Sequence, residues 1–177
     1  CRVLRGSVPR LFDTPIKVGE MRELSTGDDV LVVTAGICTE EAMRARSALA
    51  RAGLSIRHLH LHTIKPFDHR ALLDHIGSVK TGVITLENHV TEGGIGSLVA
   101  ETMADAGVGK RLIRLGLKDT YAHGGSRAYL MRYYGLDALA LVRGIEDLKG
   151  EEFGITEQDL ETARVDDVHS LAKAEAL

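Results

Sequence analysis

Four short apolar runs, at 29–36, about 55–63, 81–88 and 110–117, alternate with segments of helical character, and this alternation restricts the fold more than any other feature of the sequence. The run Asp29-Val-Leu-Val-Val-Thr-Ala-Gly36 is apolar on both faces, as a strand buried from two sides requires. After it, Thr39 is placed to cap a helix with Glu40 and Glu41 in its first turn and Gly53 as its stop. The second strand passes through Lys65-Pro-Phe-Asp68 into a helix capped by Asp68 and ending near Gly77. A glycine-rich loop follows the third, then a helix of about 95–106 closed by Gly107; Lys110 to Leu117 is the fourth strand. A helix near 126–134 stops at Gly135. Asp137 then caps one with Ala138, Leu141, Val142, Ile145 and Leu148 on a single face.

Strand–helix alternation of this kind folds as α/β units with right-handed crossovers and helices over both sheet faces. The expected architecture is a three-layer α/β domain over 28–149, built on an open, mostly parallel sheet of about five strands. With four Tyr, three Phe and no Trp, its core has to be aliphatic. Residues 1–27 stand outside the alternation: Arg2-Val-Leu-Arg5 reads as a lone strand followed by a linker. Residues 150–177 carry eight Asp and Glu against two Lys and Arg and read as a solvated acidic tail. A lone strand needs a sheet to join, and the first residue is Cys, so the chain reads as a piece of a longer one.

The net charge of −3 lacks the cationic excess that binds phosphate backbones, and the few aromatics cannot make a base-stacking platform, so no nucleic-acid partner is expected. No apolar run reaches the roughly 18 residues of a membrane span and no signal peptide opens the chain, which points to a cytoplasmic protein without a membrane partner. Cys1 and Cys38 make neither a disulfide framework nor a thiolate metal site.

The most informative stretch is Thr85 to Glu101, which sets polar residues at a strand's carboxyl end and glycines at a helix start, the edge where open α/β sheets meet ligands and partners. Free amides around Gly94 to Ser97 can hold an anion or carboxylate; equally, Gly93, Gly94 and Gly96 can serve a tight turn and close packing. Glu87, Asn88, the sole Asn, His89 and Glu92 cluster there and suit acid–base work or an inter-subunit hydrogen-bond cluster. Asp119, His123 and Arg127 follow the fourth strand at the same edge, where they share the cleft or anchor their own loop. His58, His60 and His62 alternate on one strand face; three imidazoles can bind zinc, yet no acidic or thiolate partner is fixed beside them. No Gly-x4-Gly-Lys-Ser/Thr loop is present, and Val99 stands where a dinucleotide fingerprint needs a small residue.

Thr63-Ile-Lys-Pro-Phe-Asp68, Glu87-Asn-His89, Gly93-Gly-Ile-Gly-Ser97, Val99-Ala-Glu101, Gly116-Leu-Lys-Asp119 and Tyr134-Gly-Leu136, taken in order over roughly 28–148, resemble the C-terminal domain of transketolases, particularly those encoded as two subunits. Arg2-Val-Leu-Arg5 is similar to the last strand of that family's pyrimidine-binding domain. The resemblance implies an enzyme that moves a two-carbon ketol unit between sugar phosphates on thiamine diphosphate. It also implies that catalytic, cofactor and magnesium residues lie in earlier domains, since the Gly-Asp-Gly and later Asn that hold the diphosphate and metal have no match here. The chain would then be a non-cofactor domain, inactive alone, that assembles with the remaining domains or a companion subunit as a homodimer or heterotetramer. Its functional edge would be Glu87, Asn88, His89, Glu92 and the Gly93 to Ser97 turn. Two other readings stay open: a docking module like the C-terminal part of the 2-oxo-acid dehydrogenase beta subunit, and a dinucleotide-binding domain.

Overall fold

The computed structural model describes residues 8–161 and the backbone of 167–168. In chain order the elements are β1 (Val8–Pro9), β2 (Arg22–Ser25), β3 (Val30–Thr34), α1 (Cys38–Arg51), β4 (Ile56–His60), α2 (His69–Gly77), β5 (Gly82–Val90), α3 (Ile95–Asp105), β6 (Arg111–Leu117), α4 (Arg127–Tyr133), α5 (Ala138–Lys149), α6 (Glu157–Glu161) and β7 (Asp167–Val168). Five of the strands form one sheet in the order β2-β4-β3-β5-β6, parallel except for β2, which runs antiparallel to β4. β1 and β7 make a separate antiparallel pair.

The central strand explains the layering. All five residues of β3 are buried: Val30 and Val32 join the cluster under α1 and α5, and Leu31 and Val33 join the one under α2 and α3. A strand apolar on both faces is stable only between two helical layers. Asp68 and Asp137 cap α2 and α5 by accepting hydrogen bonds from Ala71 N and Ala140 N, as their positions predict. Gly107 and Gly150, at φ +64° and +70°, end α3 and α5 in the left-handed region that glycine enters without strain.

Two segments depart from the sequence reading. Arg22–Ser25 is not linker; it is the fifth strand, with Arg22 opposite His60 and Glu23 opposite Leu59, so the sheet starts upstream of the expected boundary at 28. A four-residue edge strand has one buried side and leaves little periodicity to detect. It is fixed by an Arg57–Glu23 ion pair and by Arg46 donating to the Leu24 carbonyl at 2.8 Å. The opening of the acidic tail packs on the domain through its apolar side chains, while Glu151, Glu152, Glu157, Asp159 and Glu161 stay exposed. Ile155 and Leu160 are buried and Phe153 packs beside them on the α1–α5 cluster, while Arg44 donates from Nε and Nη2 to the Leu160 carbonyl at 3.2 and 3.1 Å. The Arg2 to Arg5 strand, and the tail beyond Glu161 other than the β7 backbone, lie outside the described residues.

Candidate functional site at the carboxyl edge of the sheet

β3 leads into α1 on one face of the sheet, whereas its neighbours β4 and β5 lead into α2 and α3 on the other. Diverging loops of this kind open a crevice beyond the carboxyl ends of the strands. Here it encloses about 750 Å³ between Gly36 and Ile37 after β3, His60 to His62 at the end of β4, Glu87 to His89 in β5, and Gly93 to Ile95 at the start of α3. Val8, Pro9 and Leu11 close one side.

The anion that the α3 amides attract belongs to the chain itself. Glu87 is 3% exposed, and its two carboxylate oxygens accept from Ile95 N and Gly96 N, both at 2.8 Å. The carboxylate reaches these amides only because Gly94 and Gly96, on either side of Ile95, carry no side chains. A Cβ on Gly94 would stand 2.1 Å from Glu87 Oε2, and one on Gly96 would stand 2.9 Å from Thr85 Oγ1 and 3.0 Å from Arg114 Cδ. The two glycines permit close approach, and Glu87, read from the sequence as a possible acid–base group, is spent on the helix terminus. Ser97 closes the preceding turn, accepting from Gly93 N at 2.9 Å and donating to the Thr91 carbonyl at 3.0 Å; Gly93 itself sits at φ +73°.

The other sequence-selected residues separate into three groups. Asn88 and His89 line the crevice; His89 is half-buried with Nδ1 2.8 Å from the Val90 carbonyl, and Asn88 makes no hydrogen bond to another described residue. Glu92 is exposed and outside the crevice, its carboxyl held below the ordinary range by the Thr91 hydroxyl that donates to it at 2.9 Å. Asp119 and His123 are exposed and do not line the crevice. His123 is ringed by Tyr129, Tyr133 and Tyr134, with centroids 5.6, 4.8 and 5.7 Å away, so three of the chain's four tyrosines gather on one surface. Arg127 points elsewhere, meeting Glu40 Oε2 at 3.7 Å.

The three histidines of β4 do share a face, but hydroxyls engage them. His58 Nε2 lies 2.8 Å from Thr34 Oγ1, His60 Nδ1 2.7 Å from Thr39 Oγ1, and His62 Nδ1 2.9 Å from Thr63 Oγ1. Burial pushes His58 down to about 3 and His60 down to about 4, so both are neutral imidazoles at physiological pH. Among the described residues no group of three or more His, Cys, Asp or Glu is placed to hold a metal ion. Thr39 is not the cap the sequence predicted. α1 starts two residues earlier, after Ile37 with no side-chain cap, and Thr39, inside the first turn, is turned onto the sheet, where its hydroxyl meets that of Thr34 and the His60 ring. The signal available for this network was the threonine at each end of the β3–α1 loop; reading Thr39 as a cap concealed it. Burial also pushes the Cys38 thiol well up, with Glu41 and Glu87 adding to the effect, which removes it as a nucleophile.

Comparison with known proteins places this geometry. The sequence profile described as "Transketolase, C-terminal domain" matches residues 19–141. A putative transketolase C-terminal section of Methanocaldococcus jannaschii is 34% identical over 140 residues, covering 78% of this chain and 43% of that protein. A 1-deoxy-D-xylulose-5-phosphate synthase of Syntrophotalea carbinolica is 33% identical over 138 residues, covering 77% and 22%. Among solved structures, a split-gene transketolase described as an inactive β4 tetramer superposes with a TM-score of 0.72 at 28% identity, covering 82% of this chain and 47% of that one. The chain thus spans less than half the length of these relatives.

Proposed function

The chain belongs to the transketolase C-terminal-domain family, and from that premise we propose that it is the non-cofactor domain of a cytoplasmic transketolase-type enzyme, completing ketol transfer between sugar phosphates by assembling with thiamine-binding domains or a companion subunit in a homodimer or heterotetramer. Family membership supplies the class of reaction. The observation that carries the division of labour is the occupation of the α3 amides by Glu87: a phosphate arriving at that helix start finds a carboxylate already there. The residues present do not fit thiamine diphosphate and its magnesium ion, because the diphosphate cradle is filled and no cluster of metal-ligating side chains stands beside it among the described residues. A dinucleotide would need the same amides, so that reading is not favoured, and the relatives named are transketolases and a synthase rather than dehydrogenase docking modules.

In this reading the chain's residues act by holding shape. Glu87 locks α3 against the end of β5, the Gly93 to Ser97 turn fixes the loop between them, and Asn88, His89 and Glu92 present polar groups along the edge where assembly is proposed. The test is reconstitution. The chain, mixed with a subunit bearing the thiamine-binding domains, is expected to give ketol transfer in a coupled assay on pentose phosphates, and neither component alone is expected to turn over. Turnover by this chain alone refutes the proposal.

A further inference from the structure

Residues 8–16 run along one side of the crevice. Val8, Pro9 and Leu11 line it, and Phe12 lies against the ring of His60, with centroids 5.2 Å apart and planes tilted by 41°. None of this stretch belongs to the five-stranded sheet. β1 pairs with β7 alone, and among the described residues the backbone of 10–16 makes no hydrogen bond to another backbone group. One side chain ties it to the domain by hydrogen bonds among those residues: Arg22 Nη2 donates to the Thr14 and Pro15 carbonyls at 3.1 and 2.8 Å, while the guanidinium carbon stands 4.6 Å from the centre of the Phe12 ring.

An arginine suits this task, because a planar guanidinium can stack on an aromatic face and donate in its own plane at once, which an ammonium group cannot. Both groups that meet Phe12 are fixed to the sheet. Arg22 stands in β2 opposite His60 on β4, and the His60 ring is held by Thr39 Oγ1 at 2.7 Å. Between this stretch and β2 the chain turns at 17–20, where Glu20 N donates to the Lys17 carbonyl at 3.2 Å, Lys17 Nζ donates to Glu20 Oε1 at 3.4 Å, and Gly19 sits at φ +89°. The turn is closed by its own bonds, so residues 8–16 can leave the crevice without unravelling β2.

We propose that residues 8–16 are a hinged strap that gates the crevice: it swings about the 17–20 turn, shuts the crevice when Phe12 seats on His60, and opens it when Arg22 releases the Thr14 and Pro15 carbonyls. Opening gives up one stacked guanidinium, two solvent-exposed hydrogen bonds and the apolar contacts of Val8, Pro9 and Leu11. Exposing His58, two residues away on the same strand and 0% exposed, requires β4 to part from the body of the domain. The strap is therefore the less stable unit and opens on its own. The gate lies wholly within this chain, so it and the reconstitution reading fail separately.

The experiment is acylation of the 177-residue chain with diethyl pyrocarbonate at pH 7, where His58 and His60 are both neutral, with the modification of each histidine followed by mass spectrometry. His60 is expected to react faster than His58. Phe12→Ala and Arg22→Met, neither of which touches the two core clusters, should each raise the His60 rate about tenfold and leave the His58 rate unchanged. Arg22→Met keeps the Phe12 cover and removes only the latch, so acceleration there reports movement of the strap rather than loss of a covering ring. Equal rates for the two histidines in the parent chain, a His60 rate that one or both substitutions leave unmoved, or acceleration of His58 along with His60 each overturns the proposal.

Discussion

Removing Glu87 and crowding Gly94 are expected to be strongly non-additive, because both act on the same two hydrogen bonds. Glu87→Ala strips a buried carboxylate from Ile95 N and Gly96 N. With about 1.5–3 kcal/mol for each hydrogen bond to a charged group, the loss of two comes to about 3–6 kcal/mol. Gly94→Ala leaves the backbone at ease, since φ −90° is open to any residue, but its Cβ would sit 2.1, 2.6 and 2.7 Å from Glu87 Oε2, Cδ and Oε1. Glu87 has to retreat, and most of the same bonding energy is lost, together with about 1 kcal/mol for alanine at an N-cap. In the Glu87→Ala background the clashing atoms are gone and only that cap cost remains. Urea unfolding of the four proteins should therefore show a coupling of about 2–5 kcal/mol, well above the roughly 0.5 kcal/mol within which independent sites add. Additive penalties would mean that Gly94 is required for its own conformation rather than to admit Glu87, and the account of the α3 terminus would fall.

The buried histidines predict acid lability: folded-state values of about 3 and 4 against an ordinary 6.5 mean that the unfolded chain binds protons the folded one refuses. Stability is then full above pH 6.5 and falls as the pH drops through the window down to about 4, by about 4 kcal/mol for the pair between pH 7.5 and 5. Urea titrations in that range check this, with His58→Asn halving the slope; a flat profile contradicts it. Arg44→Met should loosen the 151–161 extension, leaving the Leu160 carbonyl without its donor and the Glu41 carboxylate with Ala138 N alone. Hydrogen exchange should then quicken across α6 while β3 stays protected, and unchanged exchange there argues that the apolar contacts, with Arg51 on the Asp159 carbonyl and Arg132 on Glu157, hold it without Arg44. In a Cys1→Ser background, Cys38 is expected to resist maleimide until denaturant unfolds the chain, because it is fully buried and its thiol is pushed up. Labelling at the rate of a free thiol would show that the crevice end of α1 opens on its own.

What the sequence made legible divides along periodicity. β3 to β6 and their helices announced themselves because each is long, apolar and punctuated: Asp68 and Asp137 cap as their spacing predicts, and Gly53, Gly107, Gly135 and Gly150 fall at positive φ where helices stop. β2 and the 151–161 extension escaped because β2 has a single apolar residue, Leu24, and the extension three, Phe153, Ile155 and Leu160, on a surface made by others, and local pattern carries no record of the partner. At the carboxyl edge the residues could be named from the sequence, but not the pairing between them. Polar residues at the end of β5 and glycines at the start of α3 located the carboxyl edge, but the pairing of Glu87 with the Gly94–Gly96 amides spans eight and nine residues and a chain reversal. Thr39 satisfied a cap rule that a neighbouring strand overrode, since hydroxyls on Thr34 and an imidazole on β4 offered it a buried network.

The two helix termini at this edge begin from the same electrostatics and end with opposite chemistry. Each presents uncompensated amides at the positive end of a dipole. At α3 the preceding strand carries a glutamate and the turn carries glycines, so the chain neutralises its own helix and closes it to outside anions. At α1 the loop between β3 and the helix is three residues, Ala35 to Ile37, too short to fold a side chain back, and the acids in the first turn are used laterally, Glu41 towards Arg44 and Ala138 N and Glu40 towards Arg127. Loop length and the placement of one glutamate thus decide that α3 is capped by the preceding strand's own carboxylate while α1 begins without a side-chain cap.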